Sequence, residues 1–289
     1  LMPLEEVNSK ICFELIHDAF DKAYRINKNN NKAKKIFYHL HNPGYFERAC
    51  FLHHYPNTKT LFIVRNPIQM LESWLLNDVN QLIFLLRKIK FYNDGYQLKS
   101  ILNSSFKVAT TLEYFLDPLN STGEVRGVKL EDLKNAPNET LKKLCNWMNI
   151  KEYPSLLQSE FMGKKFSRPS VNFNNITGFD TRSIDVPLGR VFISRDIEII
   201  ETLYWPFMKM YGYTKISEKK FLKNISKIRP YLDEPFQFEI DIYNKLPEDK
   251  PEIAKITQFN HVHKYLIKIW DILNENKTYP NLIKPINYN

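Results

Sequence analysis

Glycine is scarce in this chain, with eight among 289 residues, at positions 44, 95, 123, 127, 163, 178, 189 and 212. So few leave little room for a loop that cradles phosphate with bare backbone. The pattern G-x-x-x-x-G-K-[ST] is absent. Cysteine is scarcer still, with Cys12, Cys50 and Cys145 alone. Three scattered thiols build neither a disulfide framework nor a zinc site, so no metal is expected. The longest apolar run, around Leu82 to Leu86, is far short of the ~18 residues a membrane helix requires, so no transmembrane segment is expected. Repeats with a period of ~20–50 residues are also missing.

What is present is a core-forming composition. Hydrophobic residues are 43%, aromatics 14% and charged residues 25%, which excludes disorder and collagen-like sequence. At ~150 residues per domain the length allows one large domain or two modest ones. Forty-one basic residues against 32 acidic ones give +9, a surface that draws in anions. The lysines are spread along the chain without a helix-long basic stripe. No nucleic-acid recognition motif appears, so nucleic acid is not an expected partner.

The chain opens Leu1-Met2-Pro3-Leu4 and enters an amphipathic pattern at once, with Leu4, Val7, Ile11, Leu15, Ala19 and Ala23 at helical spacing. No signal-peptide features are visible. The opening suggests that sequence upstream of Leu1 has been lost, and the expected location is the cytoplasm. Residues 35–41 read as a short strand, Tyr45 to His54 as a helix, and Lys59 to Arg65 as a strand apolar enough for burial on both faces. A helix follows from Pro67 to Leu76. Asp78 to Leu116 reads as helical with a break near Asn93-Asp94-Gly95. Val125 to Leu130 is a third strand, Glu131-Asp132-Leu133 begins a turn, and Asn138 to Ile150 is a helix. Residues 154–195 read as irregular and Asp196 to Met210 as one helix stopped by Gly212. The clear element beyond is a helix over 253–273. Strand–helix alternation in the first half predicts an α/β fold with a parallel sheet, whose ligands bind at the carboxyl ends of strands.

Arg65 lies at one such end and Ser73 eight residues on, in the following helix. A helix N-terminus, a guanidinium and a hydroxyl there suit one anion. Pairing of Arg65 with an acidic neighbour, with Ser73 facing solvent, suits the same spacing.

The segment Pro56-Asn-Thr-Lys-Thr-Leu-Phe-Ile-Val-Arg-Asn-Pro67, followed by Ser73, resembles the 3′-phosphate-binding segment of sulfotransferases, "fP-x-A-K-x-I-x-x-x-R-[ND]-P" with a serine eight residues after the arginine. Val128-Lys-Leu-Glu-Asp-Leu133, then Pro137, Thr140-Leu141, Leu144, Trp147-Met148 and Ile150, resembles the family's "v-x-y-E-D-L … P … t-l … i-x-x-f-L-g-i". Asp196 to Tyr213 is loosely similar to a late helix ending in "GY". The resemblance covers roughly residues 35 to 213.

The resemblance implies a P-loop-NTPase-like parallel sheet flanked by helices over 1–213, followed by a mainly helical C-terminal extension over 214–289. It implies transfer of a sulfuryl group from 3′-phosphoadenylyl sulfate to a hydroxyl or amine acceptor, with adenosine 3′,5′-bisphosphate as product. Arg65 and Ser73 would hold the donor's 3′-phosphate. Arg190, after Gly189, would reach the same phosphate, with Arg168, Arg182 and Arg195 as rivals. In the small-molecule enzymes a Lys-x-His-x-Pro segment supplies the base. Here His39-Leu40-His41-Asn42-Pro43 stands in its place, so His41 matches the base and His39 replaces the lysine. A histidine titrating near pH ~6.5 suits proton removal. Tyr38, Tyr45 and Phe46 are candidates for lining the acceptor site. Leu130 stands where many relatives carry an aromatic beside the adenine. The "P-K-[SA]-G-[TS]-[TS]" loop that holds the 5′-phosphosulfate does not occur in the sequence. Residues 1–289 alone are therefore expected to have little activity. The alternative is a degenerate relative that binds nucleotide or a partner without catalysis.

Overall fold

The computed structural model describes residues 9–24, 35–39, 45–76, 111–121, 124–158, 160–161, 164–165, 178–181, 184, 186–243 and 259–286. They form an α/β protein that is mostly helical, with a small parallel sheet. The chain divides into two compact units, Leu1–Thr58 and Lys59–Asn289.

The first unit contains α1 (Ser9–Tyr24) and α2 (Tyr45–His54), both anticipated from helical periodicity. Phe13 of α1 meets Phe51 of α2 edge-on at 5.6 Å, and Tyr38 stacks on Phe51 at 5.9 Å. Tyr55 donates to Glu14 Oε1 at 3.2 Å. The strand expected over 35–41 does not form in its described part. Residues 35–39 pair with no other strand among the described residues, and all five are exposed. Tyr38 is anchored by ring contacts instead of by a backbone ladder.

The second unit opens with β1 (Thr60–Val64), which runs parallel to β2 (Val125–Lys129) with Thr60 opposite Val125 and Val64 opposite Lys129. Gly127 N donates to Lys284 O at 2.8 Å, and Ile286 N donates to Gly127 O at 3.0 Å. Backbone from residues 284–286 therefore borders β2 alongside Pro285. β1 is buried on one face rather than two. Val64 enters the core while Ile63, pointing the other way, is 62% exposed. Helix α3 spans 67–76. Pro67 suits its first turn, where no N–H is needed.

After β2 come α4 (Leu130–Asn135) and α5 (Pro137–Met148). The turn expected at Glu131 is thus the start of a short helix. Asn149, with φ 52, ends α5, and Ile150 N returns to Cys145 O at 2.9 Å. The irregular segment holds a two-stranded antiparallel pairing, β3 (Glu160–Phe161) with β4 (Lys164–Lys165). The helix expected over 196–210 is two, α6 (Ser194–Leu203) and α7 (Trp205–Met210). Pro206 lacks the N–H that would reach Thr202 O, so the helix breaks at Tyr204. Then follow α8 (Glu218–Ile228), α9 (Gln237–Tyr243) and α10 (Phe259–Asn276). Of the stretch expected to be helical over Asp78 to Leu116, residues 78–110 lie outside the described residues.

One core runs through this unit and crosses Tyr213. Ile68, Leu71 and Leu75 of α3 pack with Ile199, Ile200 and Leu203 of α6, and also with Phe221, Ile225, Leu266 and Ile269 from the later helices. Residues 214–289 thus contribute to the same core as the sheet. The binding of that region is also polar. Trp205 Nε1 donates to Ile216 O, Trp270 Nε1 to Ile225 O, and the Tyr279 hydroxyl to Leu203 O.

Gly127 has a packing reason to be glycine. A Cβ there would strike the hydroxyl of Tyr211, which is buried and donates to Ile283 O at 3.0 Å, and would crowd Val64 Cγ1 at 3.2 Å. Gly127→Ala is expected to destabilise the protein by about 1–3 kcal/mol, the usual cost of overpacking. The midpoint of urea unfolding measures it. An unchanged midpoint would show that Tyr211 yields freely.

Candidate functional site

β1 delivers Arg65 and Asn66 to the start of α3. Asn66 caps that helix: its Oδ1 accepts from Ile68 N at 3.0 Å and from Gln69 N at 3.4 Å. Pro67 has no N–H. The first amides of α3 are therefore committed, which corrects the expectation that this helix N-terminus offers N–H groups to an anion. Any anion here depends on side chains and on the helix dipole. Arg65 is half-buried, with its Nε shielded from solvent.

α3 carries an apolar stripe of Ile68, Leu71 and Leu75, all buried in the core. Glu72 falls on the same stripe and is fully buried. Its Oε1 accepts two backbone N–H groups, from Val191 at 3.0 Å and Phe192 at 3.2 Å. One turn back, Gln69 Nε2 donates to Val186 O at 2.7 Å and to Ile184 O at 3.4 Å. Neighbouring positions on one helix face (69, 72 and 73) thus hold residues from 184 to 192. Gly189 supplies a left-handed turn, with φ 82, just before Arg190. Phe192 closes the segment into the core at 5.4 Å from Phe238.

Arg190 then lies over α3. Its Nη2 donates to Ser73 Oγ at 3.1 Å, and its Nε is 3.8 Å from Glu72 Oε2. Ser73 and Arg190, predicted from sequence to share a phosphate, are in direct contact across 117 residues of chain. The guanidinium faces solvent while its anchor is buried. Such an arrangement presents a fixed cation and a hydroxyl to an incoming anion.

A second carboxylate braces the strand end. Glu131 Oε1 accepts from Asn66 N at 3.4 Å, and Glu131 Oε2 accepts from the Tyr213 hydroxyl at 2.7 Å. Lys129 Nζ sits 4.9 Å from the centre of the Tyr213 ring. Burial, then the adjacent Glu131, pushes the Tyr213 hydroxyl far up from its ordinary pKa, so it stays a donor. Glu131 is thus a structural brace between the ends of β1, β2 and α7. Asp132 has a backbone part, its O accepting from Thr140 Oγ1 at 3.0 Å.

Of the rival arginines, Arg195 is engaged in the fold through Asp196, Glu234 and Pro235 O. Arg168 and Arg182 lie outside the described residues. His39 is exposed and belongs to the first unit. His41 lies outside the described residues. Tyr45 and Phe46 are exposed at the start of α2, and Tyr38 belongs to the ring cluster described above. A cavity of about 330 Å³ opens among β2, α4, α5 and residues 285–286. It is lined by Lys129 and Lys143 but also by Asp132 and Glu139, and by none of the five predicted site residues. Its charges balance, so it gains nothing for an anion.

Comparison with models of known protein families, with curated proteins and with solved structures finds no match in any of the three. Among the described residues no helix is long and apolar enough to cross a membrane.

Glu72 and Gln69 are the residues that sequence reasoning passed over. The signal for Glu72 was legible. Positions 68, 71, 72 and 75 form the i, i+3, i+4, i+7 stripe that faces a core, and a carboxylate there demands buried donors. The signal for Gln69 was absent, since its partners are backbone carbonyls.

The Tyr213–Glu131 bond yields a stability prediction. Tyr213→Phe removes the donor to a half-buried carboxylate and is expected to cost about 1–3 kcal/mol. Equilibrium denaturation at neutral pH measures it. A loss near zero would mean that water replaces the hydroxyl.

Proposed function

We propose that the second unit binds the 3′-phosphate of a phosphorylated adenosine nucleotide, and that the chain is a 3′-phosphoadenylyl sulfate-dependent sulfotransferase built on a P-loop-NTPase-like sheet. The single observation that supports this reading best is the contact between Arg190 and Ser73. The resemblance names Arg65 and Ser73 on one segment and Arg190 on another, with Arg168, Arg182 and Arg195 as rivals, and it is Arg190 that meets Ser73, at 3.1 Å across 117 positions of chain. The residues fit a phosphate. Arg65 and Arg190 supply guanidinium groups that match its oxygens in pairs, and Ser73 supplies a hydroxyl. One oxygen of the opposing carboxylate, Glu72, is occupied by two backbone N–H groups, and the side chain is buried.

The donor, when bound, supplies an activated sulfuryl group. In such a reaction the acceptor oxygen or nitrogen attacks sulfur in line, its proton passes to a base, and the bond from sulfur to the phosphate oxygen breaks. His41 is the base this reading assigns, and His39 stands where the small-molecule enzymes have lysine. Within the described residues the reading reaches only the 3′-phosphate end. There Arg65, Ser73 and Arg190 orient the nucleotide and distinguish it from one that lacks the second phosphate. The acceptor is a hydroxyl or amine compound. The degenerate, non-catalytic alternative shares this binding step and differs in turnover alone.

Calorimetric titration with adenosine 3′,5′-bisphosphate and with adenosine 5′-monophosphate tests the reading. The bisphosphate is expected to bind at least about tenfold more tightly, the worth of one charge-assisted contact. Arg65→Ala should weaken bisphosphate binding by roughly ten- to a hundredfold and Ser73→Ala by about two- to tenfold. Equal affinity for the two nucleotides, or an Arg65→Ala variant that binds as well as the parent, would overturn the reading.

A further inference from the structure

Glu72 has no assigned part in holding a ligand, and it is the costliest side chain of α3. It is wholly buried, on a stripe otherwise made of Ile68, Leu71 and Leu75. A buried carboxylate needs donors, and removing them leaves an uncompensated charge. Leucine at this position would cost the helix nothing and would serve the core better. What Glu72 does that leucine does not is grip the backbone on the far side of Gly189. One oxygen takes both Val191 N and Phe192 N. The other oxygen is buried, takes no hydrogen bond, and has Arg190 Nε 3.8 Å away.

We infer that Glu72 is the positioning residue of the anion site. By clamping the two amides that follow Arg190, it fixes the point from which the guanidinium reaches Ser73. This inference rests on the reading above, in which Ser73 and Arg190 face the nucleotide's 3′-phosphate. The clamp works through the backbone, not through its charge. A carboxylate near a phosphate repels it, so the charge itself opposes binding. Its benefit is that Arg190 is held in place before the ligand arrives, which spares the cost of ordering a long side chain and its loop.

The two effects separate by substitution. Glu72→Gln keeps an oxygen at full length for Val191 N and Phe192 N and removes the charge. Glu72→Asp keeps the charge and withdraws the oxygen by one methylene. Glu72→Leu removes both and suits the apolar stripe, so it keeps α3 packed if the aspartate variant does not fold. Titration of each variant with adenosine 3′,5′-bisphosphate and adenosine 5′-monophosphate gives the preference for the second phosphate. Glu72→Asp and Glu72→Leu are expected to reduce that preference by roughly three- to tenfold, the range for freeing one ordered side chain. Glu72→Gln is expected to keep or raise it. In an Arg190→Ala background Glu72→Leu should have no further effect on the preference, because a residue that acts through Arg190 has nothing left to position.

A merely structural Glu72 would lower the melting temperature in Glu72→Leu without moving the preference, and that result overturns the inference. So does a loss of preference in Glu72→Gln, or an effect that persists undiminished in the Arg190→Ala background. A parent protein that fails to distinguish the two nucleotides overturns the reading of the site, and the inference with it. A parent that distinguishes them while all Glu72 variants behave alike overturns the inference only.

Discussion

A carboxylate withdrawn from water has to be met by donors, and the second unit is arranged around two that meet this demand in the same way. Glu72 stands in the stripe 68, 71, 72, 75 of α3. Asp196 stands in the stripe 196, 199, 200, 203 of α6. Both are fully buried. Glu72 receives Val191 N and Phe192 N. Asp196 receives Gln237 N at 2.9 Å together with the guanidinium of Arg195. Each carboxylate thus fastens a later segment to its helix, residues 191 and 192 in the first case and the start of α9 in the second. Apolar contact is non-directional, whereas a carboxylate shared between named amides fixes register. Burial raises the Asp196 carboxyl above the usual range, against the lowering effect of Gln237 N and Arg195. The fastening is therefore bought with stability at neutral pH.

The position of the candidate site follows from these fastenings. Arg65 is delivered by β1, and the first amides of α3 are closed off by Asn66. Glu131 and Tyr213 tie that strand end to β2 and to the segment after α7. Arg190 arrives from the opposite side on a segment held by Gln69 and Glu72. A cation and a hydroxyl meet on a rigid helix face, with the supporting bonds one layer inward. Such support is what an anion site requires in order to discriminate.

Much of this is legible in the sequence. β1, α3, β2 and α5 follow from apolar runs bounded by proline and asparagine, and their limits fall within a few residues of expectation. Two errors have a common cause in neighbours that one strand or helix cannot reveal. β1 reads as doubly buried, yet Ile63 is largely exposed. Residues 35–39 read as a strand, yet they find no ladder among the described residues. The break at Tyr204 was present in the sequence as Pro206, and periodicity on both sides concealed it. Helix α8 was hidden by a lysine-rich composition, although Phe221, Ile225 and Ile228 keep a core face, and α9 by its shortness and the prolines at 235 and 247. At the site, Arg65 and Ser73 were singled out by the resemblance, since their spacing alone suited an ordinary ion pair equally. Arg190 was visible only as one basic residue among several in an irregular segment. The contact that singles it out depends on Glu72, whose meaning lies in backbone amides that no side-chain pattern encodes.

The bordering of β2 by residues 284–286 has a kinetic consequence during synthesis. β1 and β2 are both made before α4 to α10, so their parallel pairing is available while most of the helices are still to come. The other side of β2 must wait for a segment that leaves the ribosome far later, because Gly127 exchanges hydrogen bonds with Lys284 and Ile286. Contacts of such separation form slowly, and an open strand edge invites pairing with other chains in the interval. The nascent chain thus carries this open edge from the completion of β2 until Lys284 to Ile286 emerge. Slow decoding of the codons between β2 and Lys284 lengthens that exposure.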